Sequence, residues 1–397
     1  MARILCCWER GSALGHLSSL RPFIERAVYG GHDVTLVARE LRHIDAVLGD
    51  LPVRVLQAPY ANATPHPDGA PVESVGMLLE TFYSHDSSLL DALCRAWDHL
   101  FRLLVPDVVI YDHAPFALIA SWGGSWAKWV VGSGFLVPRT DEEIFGRFPR
   151  QPGSGVPDNA RFVASNSAAV EAVNGYLRKT GCAPIDDLSD VWKQADRNWL
   201  LTLPELDHFG ERSDEVYLGI PPGSFGGAIS WPDRAGPKVV GYLAECAALR
   251  PLLSLLNDLN INGVFYTRDL LEEEIAQYPN LAIHMRPLDL GHLLRDADLG
   301  INMGGHKTVA ETYLAGVPQL LLLRHQEQLL LFLRVMALRA GVGVNAKMTD
   351  LRRPLEAAFA LMKRGIQPVS AERAHEMSGA RLTREIDAAF GAMTSAR

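Results

Sequence analysis

Apolar positions along the chain keep alternating between two rhythms. Short apolar runs such as RILCCW (Arg3 to Trp8), DVTLVA (Asp33 to Ala38) and VVIY (Val108 to Tyr111) read as buried strands. Between them, apolar residues recur at helical spacing. Leu17, Leu20, Phe23, Ile24, Ala27 and Val28 form one such stripe on a helix expected from about His16 to Gly30-Gly31. A further strand is expected at Val53 to Gln57, then a Pro-, Asn- and His-containing loop at Ala58 to Val72. Helical periodicity covers Gly76 to Leu104 and returns over Pro115 to Trp126, and Lys128 to Val131 is a strand entering Gly132-Ser133-Gly134. Pro138 to Val156, rich in Pro, Gly and charge, reads as a mobile surface loop. Strand and helix alternating at this spacing predict an α/β fold with a parallel, doubly wound sheet.

The rhythm breaks at Gly219 to Pro237, a stretch dense in Gly and Pro that marks the domain boundary. It then resumes with strands at Lys238 to Leu243, Gly263 to Thr267 and Leu281 to His284, and helices at Leu249 to Leu259 and Leu270 to Tyr278. The most ordered pattern follows, from Leu299 to Val344. Leu299, Ile301 and Met303 alternate as a strand, Gly304-Gly305 permits a tight turn, and a helix runs from His306 to Ala315-Gly316. Val317 to Leu323 is then a buried strand. A glycine turn feeding a helix leaves unpaired N–H groups at the positive end of the helix dipole, a ready site for phosphate. The tail, Ala371 to Met393, is helical in pattern.

Composition narrows the function. At 397 residues the chain exceeds one ordinary core, so two domains are expected. With 48% apolar and 21% charged residues it is a globular chain, and a net charge of −8 offers no footprint for nucleic acid. No stretch reads as a transmembrane segment or a signal peptide, although peripheral membrane contact stays open. The five cysteines are scattered without a C-x-x-C pair, as expected of buried thiols in a cytoplasmic protein.

GGHKTVAE at Gly304 to Glu311, GVP at Gly316 to Pro318 and the following Glu327-Gln328 resemble the donor signature of the GT-B glycosyltransferases. The most similar type is the UDP-glycosyltransferase group with the bacterial antibiotic (macrolide-type) enzymes. Its pattern runs H-G-G-x-x-T-x-x-E, G-V-P, D/E-Q. The first His of that pattern, a pyrophosphate ligand in the family, falls on Met303 here. In the first half, GHLSSL at Gly15 to Leu20 resembles the family's G-H-x-x-P, with Ser19 in place of the Pro, and PDVVIYD at Pro106 to Asp112 resembles its strand ending in Asp.

The resemblance implies two Rossmann-like parallel-sheet domains facing each other across a cleft. They would be an acceptor-binding domain at 1–218, a linker at 219–237 and a nucleotide-sugar-binding domain at 238–375, with a terminal helix at 376–397 packing back on the first domain. It implies an inverting, metal-independent hexosyltransferase with no cofactor beyond its UDP- or dTDP-linked sugar donor, acting on a hydroxyl of a small-molecule, lipid or glycan acceptor. His16, at the carboxyl edge of the first sheet where open α/β folds bind ligands, is the candidate base, since imidazole accepts protons near neutral pH. Asp112 is the candidate carboxylate that orients it. On the donor side, Gly304, Gly305, His306, Lys307 and Thr308 would cradle the diphosphate, with Lys307 and His306 supplying what Met303 lacks. By resemblance Glu311 would hold the ribose, and Glu327 and Gln328 the sugar hydroxyls. Asp296-Ala297-Asp298 has the form of a metal motif but reads as a turn. Two other functions stay open: a nucleotide-sugar epimerase or hydrolase on the same fold, and a non-enzymatic nucleotide-sugar-binding protein that has lost transfer, which Met303 keeps in view.

Overall fold

The computed structural model describes residues 1–11, 14–64, 66, 71–83, 86–150, 159–223, 226–227 and 229–395. Parts of both expected loops (65 and 67–70; 151–156), part of the expected linker (224–225 and 228) and Ser12 lie outside the described residues. The chain divides into two compact units.

The first unit holds strands β1 (Arg3–Trp8), β2 (Asp33–Ala38), β3 (Arg54–Gln57), β4 (Val108–Asp112), β5 (Ala127–Gly132) and β6 (Arg197–Leu200). Their order is β3-β2-β1-β4-β5-β6 and every pairing is parallel. This is the doubly wound dinucleotide-fold order, in which the winding reverses between β1 and β4. Trp8 pairs with Asp112 at the carboxyl ends of those two strands, so the switch point opens where the motifs place His16 and Asp112.

The second unit repeats the plan with β7 (Lys238–Tyr242), β8 (Asn262–Tyr266), β9 (Leu281–His284), β10 (Leu299–Asn302), β11 (Gln319–Leu323) and β12 (Gly341–Asn345). The order is β12-β11-β10-β7-β8-β9, again all parallel, with the reversal between β7 and β10. Asn302 pairs with Tyr242 at that switch point, and the Gly304-Gly305 turn leaves from it. Among the described residues, no helix is long and apolar enough to cross a membrane.

Several elements differ from expectation for identifiable reasons. The helical stretch Gly76 to Leu104 is two helices, Val75–Tyr83 and Ser87–Leu104, the second restarted by Asp86, whose carboxylate accepts from Ser88 N at 2.9 Å. The helix after Pro115 stops at Ala120, where the Ser121 hydroxyl turns back to Leu118 O and Gly123 takes φ +77°. Leu270 to Tyr278 shrinks to one turn, Glu272–Ile275, which buries none of its side chains and so has little packing to extend it. Pro138 to Arg150 is anchored rather than loose. Phe145 and Phe148 are both 2% exposed, and they pack against Trp192 and Phe135 at 5.1 and 5.3 Å between ring centroids.

The units exchange short segments along the chain. Thr202–Glu211 belongs to the second unit, because Leu203 and Leu206 enter its core beside Val309 and Leu331. Arg212–Leu218 returns to the first unit, where Leu218 N donates to Leu200 O at 2.9 Å. Within 219–237, Ile220 is buried in the second unit's core. From Leu382 onward the chain is again part of the first unit. There Phe390, 5% exposed, packs on Trp129 at 5.2 Å and His32 at 5.5 Å. Phe390→Ala should lower stability by about 3 kcal/mol. Urea unfolding checks this; an unchanged midpoint would mean that the terminal helix adds nothing to the first unit.

Candidate active site

The first unit's site is built by the carboxyl ends of β1 and β4 and by the Leu14–Tyr29 helix, which carries His16 in its first turn. His16 Nδ1 lies 3.0 Å from Asp112 Oδ1. The carboxylate is wholly buried and the imidazole is 14% exposed. Burial pushes the Asp112 carboxyl up from its usual range, and the neighbouring His16 pulls it back. The His16 ring is held between Trp8 (centroids 5.1 Å) and His113 (5.7 Å), both stacked. With Nδ1 directed at Asp112, Nε2 is the nitrogen on the opposite edge of the ring.

Sequence reasoning missed two residues of this arrangement. Gly11 sits at φ +82° directly against His16 Nε2, so close that a methyl group there would collide with the ring. His113 adopts φ +47°, a left-handed conformation rare for a side-chain-bearing residue, and this places its ring beside His16. Position in the sequence signals neither role, because both depend on where β1 and β4 end relative to each other.

The second unit's site follows β10. Gly304 takes φ +72° and its N–H is capped by Asn302 Oδ1 at 2.8 Å, while Asn302 Nδ2 donates to Gln319 Oε1 at 2.9 Å. An Asn bonding two residues ahead is a turn device, so Asn302 was legible as one and was missed. Gly305 is the N-cap of the His306–Leu314 helix and is exposed, with open space around its α-carbon. Gly305, His306, Lys307 and Thr308 therefore form the open first turn that the sequence suggests.

The side chains there are committed more than expected. His306 Nε2 lies 2.7 Å from Thr202 Oγ1 and its ring stacks on His208 at 5.7 Å. Burial lowers its pKa to about 4, so it is neutral at pH 7. Lys307 Nζ closes onto Glu311 and onto Gly223 O at 3.0 Å. Burial raises the Glu311 carboxyl and Lys307 opposes this. Gln328, 5% exposed, packs beside Gly304, and its Oε1 accepts from Arg324 N at 2.7 Å. Glu327 is half-buried in the first turn of the same helix, Gln326–Ala337. Met303 is 9% exposed and belongs to the apolar core that also holds Ile301, Leu320 and Val344. Asp298 and Asp296 serve the start of β7, accepting from Lys238 N at 2.7 Å and Lys238 Nζ at 3.3 Å.

Two outcomes test this geometry. Gly11→Ala should turn the His16 ring away from Asp112, and the downfield imidazole N–H resonance of that hydrogen bond should disappear from the proton NMR spectrum. Its survival unshifted would refute the close packing. His306 tests the second unit. An unfolded His takes up its proton near pH 6.5, whereas folded His306 does so only near pH 4. Between those values the unfolded state binds more protons, so stability falls as pH drops through this window. His306→Gln should show a shallower loss in urea unfolding between pH 7 and 4.5 than the parent.

No family model and no curated protein sequence matches the chain. Solved structures do. The chain is similar to the glycotransferase of kitacinnamycin, with 15% identity, TM-score 0.68 and coverage of 99% of this chain and 98% of that one. It is similar to the calicheamicin glycosyltransferase CalG4, with 18% identity, TM-score 0.66 and 98% coverage of both. It is also similar to the spinosyn rhamnosyltransferase SpnG complexed with spinosyn aglycone, with 17% identity, TM-score 0.63 and coverage of 98% and 96%. SpnG has a second structure complexed with thymidine diphosphate, at the same identity and TM-score. With two six-stranded parallel sheets and this end-to-end likeness, the chain has the GT-B glycosyltransferase fold.

Proposed function

We propose that this protein is an inverting, metal-independent glycosyltransferase that moves a sugar from a nucleoside diphosphate to a hydroxyl of a small-molecule acceptor. The observation that carries the reading is the His16–Asp112 pair, 3.0 Å apart at the switch point of the first sheet. Asp112 holds the proton on Nδ1 and so keeps the lone pair on Nε2, the base. Nε2 takes the acceptor's hydroxyl proton as its oxygen attacks the anomeric carbon from the face opposite the nucleotide. The new C–O bond forms, the bond to the diphosphate breaks, and the diphosphate leaves with the electron pair. Asp112 stabilises the imidazolium so formed.

The donor belongs to the second unit in this reading. The N–H groups of Gly305, His306, Lys307 and Thr308, with the Thr308 hydroxyl, receive the diphosphate at the helix N-terminus. Lys307 adds positive charge, which supports departure of the leaving group without a metal. Glu311 holds the ribose only by exchanging its contact with Lys307 for one with the nucleotide. Gln328 has its carbonyl oxygen occupied by Arg324 N, so its amide N–H₂ and the Glu327 carboxylate are the groups for sugar hydroxyls. SpnG, solved with thymidine diphosphate and with its aglycone, supports a dTDP-linked donor and a small-molecule acceptor. All five cysteines are free, which fits a reducing bacterial cytoplasm.

A nucleotide-binding protein without turnover is the second reading. It draws on Met303, an apolar core residue where the family signature has its His.

Thermal melting with dTDP, UDP and their sugars, in EDTA, addresses the donor. A nucleotide at a hundred times its Kd adds about 2.7 kcal/mol of stability. His16→Ala should lower transfer by about 10²–10⁴-fold while this nucleotide-induced shift persists. Near-parental turnover in that variant overturns the base assignment, and binding without transfer to any acceptor favours the second reading.

A further inference from the structure

β1 ends on Trp8, and the register of the first sheet sets Trp8 beside Asp112 at the end of β4. Both side chains serve one imidazole. Asp112 Oδ1 lies 3.0 Å from His16 Nδ1, and the Trp8 indole stacks on the same ring with centroids 5.1 Å apart and 24° between the planes. Trp8 is wholly buried, and its Nε1 donates to Arg10 O at 2.6 Å, which fixes the pose of the indole. An aromatic face within about 6 Å of a cation attracts it, indole most strongly, and the attraction grows where water is excluded. A neutral imidazole gains far less from the same contact.

The charged and titratable groups around His16 set how much this matters. After β1, Gly11 meets His16 Nε2, and Glu9 and Arg10 precede it. Glu9, its carboxyl pushed up to about 8 by burial, offsets part of the Arg10 charge. Just past β2, Arg39 Nη1 donates to Gly11 O at 2.9 Å. From β4 and its end come Asp112 and His113, and burial together with Arg10, His16 and Arg39 holds His113 well below the usual histidine range. On β1, burial pushes the Cys6 thiol up, so it stays protonated. On the helix of His16, the next charged residue, Arg21, is engaged by Asp50. Two arginines thus oppose a new positive charge on His16 and Asp112 favours it. The Trp8 face acts on the side of Asp112.

We propose that Trp8 is a positioning residue for the transfer reaction, its indole face stabilising the His16 imidazolium that forms as the acceptor loses its proton. The inference rests on the transferase reading and deepens its account of the base. Without the aromatic face, His16 stays neutral to lower pH and accepts a proton less readily at higher pH. A Trp8 that only fills space has neither effect.

The test titrates the His16 ring by NMR on the full chain without substrate, its signal assigned by its loss in His16→Gln. Incorporating mono-, di- and trifluorotryptophan withdraws electron density from the indole face stepwise and keeps its shape and N–H. The His16 midpoint should fall with each fluorine, by about half a pH unit or more across the series. Trp8→Leu should titrate below Trp8→Phe. Both lose the bond to Arg10 O, so their difference reads the aromatic face. A midpoint unchanged by fluorination, or a Leu variant titrating at or above the Phe variant, overturns the proposal. The fluorinated series decides even where a variant fails to fold. Transfer from dTDP- and UDP-sugars is measured separately. The acid limb of kcat/KM should move to lower pH with the midpoint while the plateau drops several-fold. A limb that stays in place as the midpoint moves overturns the part of Trp8 in the reaction. A moving midpoint with no transfer to any acceptor removes the transferase reading and leaves the effect of the stack on His16 standing.

Discussion

A carboxylate with no access to water has to be compensated, and Asp112 at the end of β4 has His16 for that purpose. Much of the first unit's local geometry depends on this one bond. β1 and β4 must be neighbours for the pair to meet, which the doubly wound order provides. The Leu14–Tyr29 helix must begin close to the sheet edge, and Gly11 must lack a side chain for the ring to fit. Trp8 and His113 then both stack on the ring. An imidazole held this way is oriented before any ligand arrives.

The second unit has the same kind of sheet order with different groups at its switch point. Its switch point ends in a polar turn rather than a charged pair: Asn302 caps Gly304, and Gln319 fixes Asn302. The exposed N–H groups of the following turn are the resource there, and they suit an anion rather than a proton. His306 is held neutral against Thr202, and Lys307 is held by Glu311, so the turn's charge is balanced internally. In the proposed reading, a diphosphate arriving there would meet N–H dipoles first and would gain the Lys307 charge as that pair opens.

Much of this was legible in the chain. The apolar runs of β1 and β2 match their strands residue for residue, and the His306–Leu314 helix follows the glycine turn as its pattern implies. Strong periodicity or a capped turn marks each of these. β6 (RNWL) and β12 (GVGVN) carry too little apolar pattern to announce themselves, and they exist because a neighbouring strand offers an edge to pair with. The Asn159–Thr180 helix also went unread, since its apolar positions are sparse and it is held by packing against the Val75–Tyr83 and Ser87–Leu104 helices. At the site, His16, Asp112 and the glycine turn were visible as motif residues. Gly11, His113 and Arg10 were not, because each matters through a neighbour distant in sequence or through the burial of its own side chain.

Arg10 illustrates why such residues carry information that motifs lack. Its guanidinium is 6% exposed and lies over the Phe82 ring, and Nε and Nη1 have no hydrogen-bond partner among the described residues, which costs stability. Its neighbour Glu9 is spent on the Trp97 indole and the Phe116 backbone, which tie β1 to the helices beside it. With both of its oxygens engaged there, Glu9 acts on Arg10 through charge rather than through a hydrogen bond. Local rules of folding fail most informatively at such positions, where a side chain's surroundings and not its place in a motif decide its state.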